Sequence, residues 1–195
     1  MAIDTKIYDQ IFFNNTLKLE SPSAKAFVSI IIKYFQPKSV IDIGCGIGIY
    51  LAEMEKNNIK ILGYDGSPAA IKGSLVGKKI KLYDLCKPLK LKLKFDLCLC
   101  LEVAEHLEKK YAKTLVNSLS ELSNIIIFTA ATPGQGPKSI GHINEQPHKY
   151  WQKLFEQKNF KLNKKLTEKI RQEMINKKVV WWITKNLMIF QKNEK

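Results

Sequence analysis

Short apolar runs alternate with amphipathic stretches along the chain. Five runs rich in Ile, Leu, Val, Phe or Cys cover residues 40–43, 59–64, 79–83, 95–101 and 124–130. Apolar runs of this length are typical of strands that are buried on both faces of a parallel sheet. Helical periodicity lies between some of them and predicts helices over 49–57 and 109–122. This alternation predicts one α/β domain covering residues 1–195.

The two ends of the chain have a different pattern. Pro22 begins a helical stretch with apolar residues on one face, and this stretch ends before Pro37. After the fifth run, residues 132–146 are rich in Gly and Pro and predict a long loop, which in a compact domain is commonly functional. The remaining pattern predicts a helix over 150–157, a strand over 160–162, a helical stretch over 167–176 and a final strand over 186–191.

A glycine-rich turn follows the first apolar run. It reads Val40-Ile41-Asp42-Ile43-Gly44-Cys45-Gly46-Ile47-Gly48. Such a turn lets a ligand lie against the unpaired N–H groups at a helix N-terminus. Dinucleotide sites use the spacing G-x-G-x-x-G, whereas position 49 is Ile and an acid, Asp42, stands inside the strand. The spacing favours S-adenosylmethionine (SAM) over NAD.

Acidic residues stand at the ends of the next three runs. Asp65 follows the second run, Asp84 and Leu85 follow the third, and Glu102 through His106 follow the fourth. A single acidic residue at a strand end is more often a helix cap or a turn residue than a ligand-binding residue. Together with Asp42 they indicate a ligand site, because the carboxyl ends of parallel strands meet at one edge of a sheet. There Asp65 can bind both ribose hydroxyls, and Asp84 with the Leu85 N–H can bracket an adenine edge.

These motifs resemble those of the class I SAM-dependent methyltransferases over about residues 20–192. More narrowly, the chain resembles a bacterial group of methyltransferases often found in saccharide or secondary-metabolite gene clusters. That resemblance rests on residues 130–136, residues 141–147 and the Trp181-Trp182 pair, and the chain departs from it at Pro137-Lys138-Ser139-Ile140. The departure affects the conformation of the loop and the direction of His142.

The resemblance implies a fold, a cofactor and a set of binding residues. The implied fold is a Rossmann-like, doubly wound, seven-stranded, mostly parallel sheet with helices on both faces and a C-terminal antiparallel hairpin. The cofactor is SAM, with S-adenosylhomocysteine (SAH) as product, and residues 1–20 are interpreted as a lid segment. The expected cofactor-binding residues are Asp42, Gly44, Cys45, Gly46, Gly48, Asp65, Gly66, Asp84, Leu85 and Leu101.

The chemistry of the acceptor decides which catalytic residues are needed. A sugar or ribose hydroxyl requires a general base, or a metal that lowers its pKa. Among the three histidines, His142 is the first candidate for the base, with His106 and Glu102 second, and His148 is interpreted as a surface or capping residue. No metal is expected in this interpretation.

A metal-dependent alternative rests on the spacing of Glu102, Glu105 and His106, with His142 later in the chain. This arrangement resembles that of metal-dependent families such as the small-RNA 3′-terminal 2′-O-methyltransferases. Carboxylates and imidazoles suit a divalent ion that holds two vicinal hydroxyls. The same spacing also occurs in relatives without a metal, where Glu105 and His106 cap and orient the next helix.

Charge and cysteine content indicate which kinds of partner and metal site the protein is expected to lack. The net charge of +14 comes from 31 lysines and a single arginine, Arg171. The lysines are scattered, and arginine is the usual residue for bidentate phosphate contacts, so we interpret them as a solvated surface rather than a nucleic-acid groove. The four cysteines form no C-x-x-C pair, which argues against a zinc site or a disulfide framework. No apolar run reaches 18 residues and no signal pattern is present, so we expect a cytoplasmic protein without a membrane partner.

The sequence therefore predicts SAM-dependent O-methylation of a hydroxyl on a small sugar-containing or secondary-metabolite acceptor. One alternative is a metal-dependent RNA 2′-O-methyltransferase. Another is a catalytically inactive domain that binds SAM or a partner. A homodimer is a further expectation, with the tryptophans as core or dimer-contact residues.

Overall fold

The computed structural model describes residues 6–135 and 140–193. The strands of this part are β1 (Ser39–Ile43), β2 (Lys60–Asp65), β3 (Ile80–Leu82), β4 (Leu97–Leu101), β5 (Ile125–Thr129), β6 (Phe160–Leu162) and β7 (Met188–Lys192). The α-helices are α1 (Gln10–Phe35), α2 (Ile49–Lys56), α3 (Pro68–Lys72), α4 (Ala112–Leu122), α5 (His148–Glu156), α6 (Lys164–Asn176) and α7 (Trp181–Asn186).

The seven strands form one sheet in the order β3-β2-β1-β4-β5-β7-β6. Neighbouring strands from β3 to β5 are parallel, and β7 is antiparallel to both β5 and β6. Strand order reverses on either side of β1, where β2 lies on one side and β4 on the other. Ligands of open α/β sheets bind at such a switch point, outside the carboxyl ends of the strands.

Helices cover both faces of the sheet and divide the core into two layers. One layer packs α1, α2, α6 and α7 against the sheet, and the other packs α4 and α5. Strands β1, β4 and β5 contribute side chains to both layers, which explains their continuous apolar runs. The predicted sheet, its C-terminal antiparallel pair and the helices on both faces are confirmed.

The prediction for the N-terminal region was wrong in one respect. Instead of a helix that begins at Pro22, α1 runs without interruption from Gln10 to Phe35 and contains Pro22, so it also includes most of the segment interpreted as a lid. The helix begins at Asp9, whose carboxylate accepts a hydrogen bond from the Phe12 N–H at 2.9 Å. Burial of Phe13 and Phe27 on either side of Pro22 stabilises both halves, and this packing outweighs the backbone hydrogen bond that proline cannot make.

Other boundaries differ in smaller ways. Residues 181–186, next to the final strand, form α7, so β7 begins at Met188. Residues 132–135 and 140–146 form no helix or strand, and Gly136 and Pro137-Lys138-Ser139 lie outside the described residues. Trp151 is fully buried, whereas Trp181 is 55% exposed; the homodimer stays a prediction. No helix in the described ranges has the length and hydropathy needed to span a membrane.

Candidate active site

The turn between β1 and α2 is built for a close approach of backbone to a ligand. Gly44 and Gly48 have φ angles of +78° and +85°, in the left-handed region that favours glycine. A Cβ atom at Gly44 would lie 2.3 Å from Val103 Cγ2, so the turn also packs directly against the segment after β4. Glycine is therefore required at position 44 for two independent reasons.

Asp65 connects this turn to the end of β2. One carboxylate oxygen accepts a hydrogen bond from the Gly46 N–H, and the other accepts one from the Ser67 N–H, each at 2.8 Å. Burial raises the pKa of Asp65, although these backbone hydrogen bonds oppose the shift. The Ser67 hydroxyl donates to the Tyr8 carbonyl oxygen at 2.7 Å, which holds the segment before α1 against the same strand end.

A cavity extends from the glycine turn to the segment after β4. Most of the sequence-predicted site residues line it, namely Asp42, Gly44, Cys45, Gly46, Asp65, Gly66, Leu85, Leu101, Glu102 and His106. Gly48, Asp84 and His142 are not part of its wall. Gly48 instead precedes α2 as its N-cap residue. The Asp84 carboxylate accepts a hydrogen bond from the Cys86 N–H at 3.1 Å and so stabilises its own turn.

Several wall residues were not assigned to the site from the sequence. Tyr50 is the second residue of α2, and Thr16 and Glu20 lie on α1. Phe12, Thr16 and Glu20 are spaced four residues apart and therefore share one helix face. This spacing could have identified the face, since Phe12 was already interpreted as part of a lid.

The imidazole of His106 lies in the cavity wall with one nitrogen in fixed contacts. Its Nδ1 is 3.1 Å from the Gly141 carbonyl oxygen and 2.7 Å from the Tyr8 hydroxyl. A carbonyl oxygen can only accept, whereas the Tyr8 hydroxyl can donate or accept, so the tautomer that satisfies Gly141 has the proton on Nδ1 and a lone pair on Nε2. Burial, together with the nearby His142, lowers the pKa of His106 to about 4. His106 is therefore neutral at pH 7.

Two glutamates in the segment after β4 have different surroundings. Glu102 has a positive φ of 53°, and the Asn186 amide donates to both of its carboxylate oxygens, at 3.0 and 3.2 Å. Glu105 is fully buried, and its Oε1 accepts from the Ala131 N–H at 3.0 Å. Its Oε2 has no hydrogen-bond partner among the described residues. Burial raises the pKa of both carboxyl groups, that of Glu102 to about 7.

His142 lies against His106 rather than in the cavity wall. The two rings meet edge to face with centroids 4.9 Å apart. The Nδ1 atom of His142 is 2.9 Å from Glu145 Oε1; a carboxylate accepts, so this nitrogen is the protonated one. Glu105, His106 and His142 each offer a ligand atom, and these atoms lie within 4.8 Å of one another. The structure thus brings together three of the four residues in the predicted metal motif.

Asp42 is 2% exposed in the cavity wall. Burial, together with the nearby carboxylates of Asp65 and Glu20, raises the pKa of Asp42 to about 7. When the pKa of a carboxyl group is higher in the folded than in the unfolded protein, the free energy of unfolding of the protein falls as the pH rises between the two pKa values. Ligand-free protein therefore carries an unfavourable charge at this position above about pH 7.

This charge predicts a pH-dependent gain from Asp42→Asn. In ligand-free protein, the free energy of unfolding of the variant should exceed that of the wild type by an amount that grows between about pH 4 and about pH 7, by at most ~1.4 kcal/mol per pH unit. Urea unfolding at several pH values measures the difference. Asp96→Asn is the control, because hydrogen bonds lower the pKa of Asp96 despite its partial desolvation, so its contribution becomes constant above about pH 5. A difference for Asp42→Asn that does not change with pH would contradict the expectation.

Comparison with known proteins agrees with this geometry. A family model described as a methyltransferase domain matches residues 23–165, which is more than half of the chain. No curated protein sequence matches the chain.

Solved structures share the fold. The SAM-bound structure of CalS10, an amino pentose methyltransferase from Micromonospora echinaspora involved in calicheamicin biosynthesis, is 12% identical with a TM-score of 0.66, over 88% of this chain and 90% of that one. The methyltransferase domain of bacterial CtHen1 is 20% identical with a TM-score of 0.55, over 71% and 86%. DesVI from Streptomyces venezuelae is 17% identical with a TM-score of 0.56, over 66% of this chain, which spans 60% of DesVI.

The family match covers the glycine turn, the four acidic strand ends and both candidate catalytic histidines. The sheet order and the antiparallel β7 are those of the class I fold. The chain belongs to the methyltransferase-domain family, and the protein is a class I methyltransferase that uses SAM.

Proposed function

We propose that the protein transfers the methyl group of SAM to a hydroxyl of a small sugar-containing or secondary-metabolite acceptor. The observation that carries this proposal is a neutral imidazole, His106, in the wall of the cavity that also contains the glycine turn and Asp65. A hydroxyl needs a proton acceptor as it attacks, and His106 supplies one. CalS10, which acts on an amino pentose, has the same fold and is compatible with a saccharide acceptor.

The cofactor end of the cavity is proposed to lie between β1 and β2. The left-handed glycine turn lets SAM approach the backbone without a Cβ in the way, and Asp65 is placed to accept hydrogen bonds from the ribose hydroxyls. Leu85 lines the wall beyond Asp65 and would contact the adenine. Asp84 supports this part indirectly through the turn it caps.

The transfer end of the cavity is proposed to lie at Glu102 and His106. When bound, SAM would supply an electrophilic methyl group to the hydroxyl oxygen of the acceptor, with SAH as the leaving group and the hydroxyl proton passing to a base. His106 accepts that proton at Nε2, because Nδ1 already donates to Gly141. His142 packs against the imidazole from behind, so we assign it a positioning role and His106 the role of base. Glu102, held by Asn186, is the second proton acceptor in the wall.

Incubation of the enzyme and methyl-labelled SAM with a whole-cell extract tests the acceptor class. The extract is separated into nucleic-acid, protein and small-molecule fractions. We expect label in the small-molecule fraction, in a product whose methyl carbon has the NMR chemical shift of a methyl ether rather than of an N-methyl group. Label on an amine of a small molecule would support the small-molecule acceptor but contradict the proposal that a hydroxyl is methylated. Label in RNA would overturn the proposal.

A second candidate function is metal-dependent 2′-O-methylation of RNA. Two observations favour a metal. Glu105 Oε2 is buried without a hydrogen-bond partner in the described part of the chain, and Glu145 orients His142 in the way that carboxylates orient metal-binding imidazoles. Glu105, His106 and His142 would hold a divalent ion, which would polarise the attacking hydroxyl. Glu102, the fourth residue of the motif, bonds to Asn186 instead. The two candidates exclude each other, because His106 cannot be both ligand and base.

Calorimetric titration with Mn²⁺ separates them. The metal-dependent candidate predicts saturable binding that is lost in Glu105→Gln, together with methyl transfer to RNA that a chelator abolishes. Glu121→Gln, on an exposed position of α4, controls for nonspecific binding to surface carboxylates. Full activity of chelator-treated, metal-free enzyme would eliminate this candidate and support the metal-free mechanism.

A further inference from the structure

Glu102 has a strained backbone conformation in the cavity wall. Its φ angle of +53° lies in the left-handed region, which costs energy for a residue with a Cβ. Its N–H donates to the Thr129 carbonyl oxygen at 3.2 Å and to the Thr129 hydroxyl oxygen at 2.9 Å. Strained conformations persist where the surrounding structure fixes them, and they are common at functional sites. The contacts that hold Glu102 therefore bear on the transfer end of the cavity.

The Glu102 carboxylate is held by the side-chain amide of Asn186. Asn186 is the last residue of α7 and is fully buried. Its Nδ2 donates to both carboxylate oxygens, at 3.0 and 3.2 Å. An ionised carboxylate can only accept hydrogen bonds, so the amide must present its NH2 group to Glu102 and its Oδ1 atom to the opposite side.

His148, the first residue of α5, meets the Asn186 amide from that opposite side. Burial lowers the pKa of His148, the charges of Arg171 and Lys185 lower it too, and a hydrogen bond with Asn186 opposes the shift. His148 Nε2 and Asn186 Oδ1 are both buried, and neither has another hydrogen-bond partner among the described residues. Because an amide oxygen accepts, Nε2 carries the proton and donates to Oδ1.

The end of α7 that carries Asn186 is fixed by Arg171 on α6. The Nε atom of Arg171 donates to the Thr184 carbonyl oxygen at 3.1 Å, and Nη2 donates to the Leu187 carbonyl oxygen at 2.8 Å. These two carbonyl groups lie on either side of Asn186 in the chain. A planar guanidinium can bond both at once, which holds the backbone of Asn186 while His148 holds its amide.

We propose that His148 and Asn186 are positioning residues for methyl transfer and that they act through Glu102. His148 fixes the Asn186 amide, and the amide holds the Glu102 carboxylate where it accepts a hydrogen bond from a hydroxyl of the acceptor. Glu102 lies in the same cavity wall as His106, whereas His148 and Asn186 are not part of that wall. The inference rests on the proposed function, because Glu102 contacts the acceptor only if methyl transfer occurs at this end of the cavity.

The rate of methyl transfer from labelled SAM to a whole-cell extract tests the proposal. Label is counted over all fractions, so the result does not depend on the class of acceptor. We expect His148→Leu, which removes the donor to the amide, to lower the rate about tenfold through misplacement of Glu102 and to leave the affinity for SAH unchanged. His148→Gln, whose amide can donate in place of Nε2–H, should retain most of the activity. Lys149→Leu, at the next and exposed position of α5, is the matched control and should have the wild-type rate. No loss in His148→Leu, or an equal loss in His148→Gln, would overturn the proposal.

A double-mutant cycle tests whether His148 acts through Asn186. Asn186→Leu removes both the acceptor for His148 and the donors to Glu102, so His148→Leu should have little further effect in that background. A loss of the same size in both backgrounds would contradict the proposal. Glu102→Gln separates this inference from the proposed function. A wild-type rate in Glu102→Gln would show that the transfer end is wrongly placed, whereas a loss in Glu102→Gln without one in His148→Leu would overturn the positioning role alone.

The nitrogen chemical shifts of isotope-labelled histidines in the wild type give a readout that does not require a folded Asn186 variant. The chain has three histidines, and the spectrum of His148→Gln identifies the signals of His148. Because its pKa is lowered from 6.5, His148 should be neutral at pH 7, and we expect its proton on Nε2. A proton on Nδ1, or exchange between the two tautomers, would overturn the proposal, since His148 would then not hold the amide.

Discussion

Gly44→Ala should destabilise the protein by roughly 3 kcal/mol or more and abolish detectable SAM binding, because it combines overpacking with backbone strain. The added Cβ would lie 2.3 Å from Val103 Cγ2 and 2.7 Å from Val103 Cγ1. Val103 is 7% exposed and cannot move away freely. The φ angle of +78° adds a further cost for any residue with a Cβ. Urea unfolding and calorimetric titration with SAM measure the two effects.

Two variants separate the clash from the strain. Gly77→Ala is the matched control, since Gly77 has a φ of +60° and no atom lies within 4 Å of its Cβ position; it should cost about 1 kcal/mol from strain alone. Val103→Ala in the Gly44→Ala background should restore part of the lost stability. Equal losses in Gly44→Ala and Gly77→Ala would show that the contact with Val103 is not what requires glycine.

His106→Gln should lower kcat for methyl transfer about 100-fold or more, the usual contribution of a general base. Glutamine retains a donor for the Gly141 carbonyl but lacks the nitrogen that accepts the substrate proton. The assay follows transfer of labelled methyl from SAM to the small-molecule fraction of an extract. Affinity for SAH, measured separately, should change little, since the proposed cofactor contacts lie at the other end of the cavity.

His142→Asn distinguishes the base from its neighbour. This variant removes the ring that contacts His106 and should cost about tenfold, less than His106→Gln, because positioning contributes less than proton transfer itself. A larger loss in His142→Asn than in His106→Gln would reverse the two assignments. That outcome would favour the sequence-based prediction of His142 as the base.

The strands were predictable because of how the sheet is buried. Runs such as Leu97–Leu101 are apolar throughout because helices cover both faces of the sheet, and this pattern can be recognised without knowledge of distant contacts. Pro22 gave the opposite signal in α1. The burial of Phe13 and Phe27 stabilises a helix that continues through the proline. This burial depends on tertiary packing, which a local sequence pattern does not reveal.

Site residues were predictable where their position along a strand decides whether they line the cavity. Asp65 and Glu102 reach the cavity because Asp65 ends β2 and Glu102 directly follows β4, the two parallel strands on either side of β1. Asp84 does not line the cavity, since its carboxylate accepts a hydrogen bond from an N–H group of its own turn. Whether such a carboxylate binds a ligand or a turn N–H depends on the side-chain conformation, which the sequence does not specify. Glu20 is distant from the other site residues in sequence, and its place in the cavity depends on how α1 crosses the glycine turn.

Calorimetric titration of SAM into wild type and Asp65→Ala tests the central claim, that SAM binds in this cavity between β1 and β2, most directly. We predict a loss of about 1.5–3 kcal/mol in binding free energy for Asp65→Ala, the effect of removing hydrogen bonds to a charged group. Asp84→Ala, at the neighbouring strand end but outside the cavity wall, should bind SAM nearly as the wild type does. Unchanged affinity in folded Asp65→Ala, or an equal loss in Asp84→Ala, would contradict this placement of SAM.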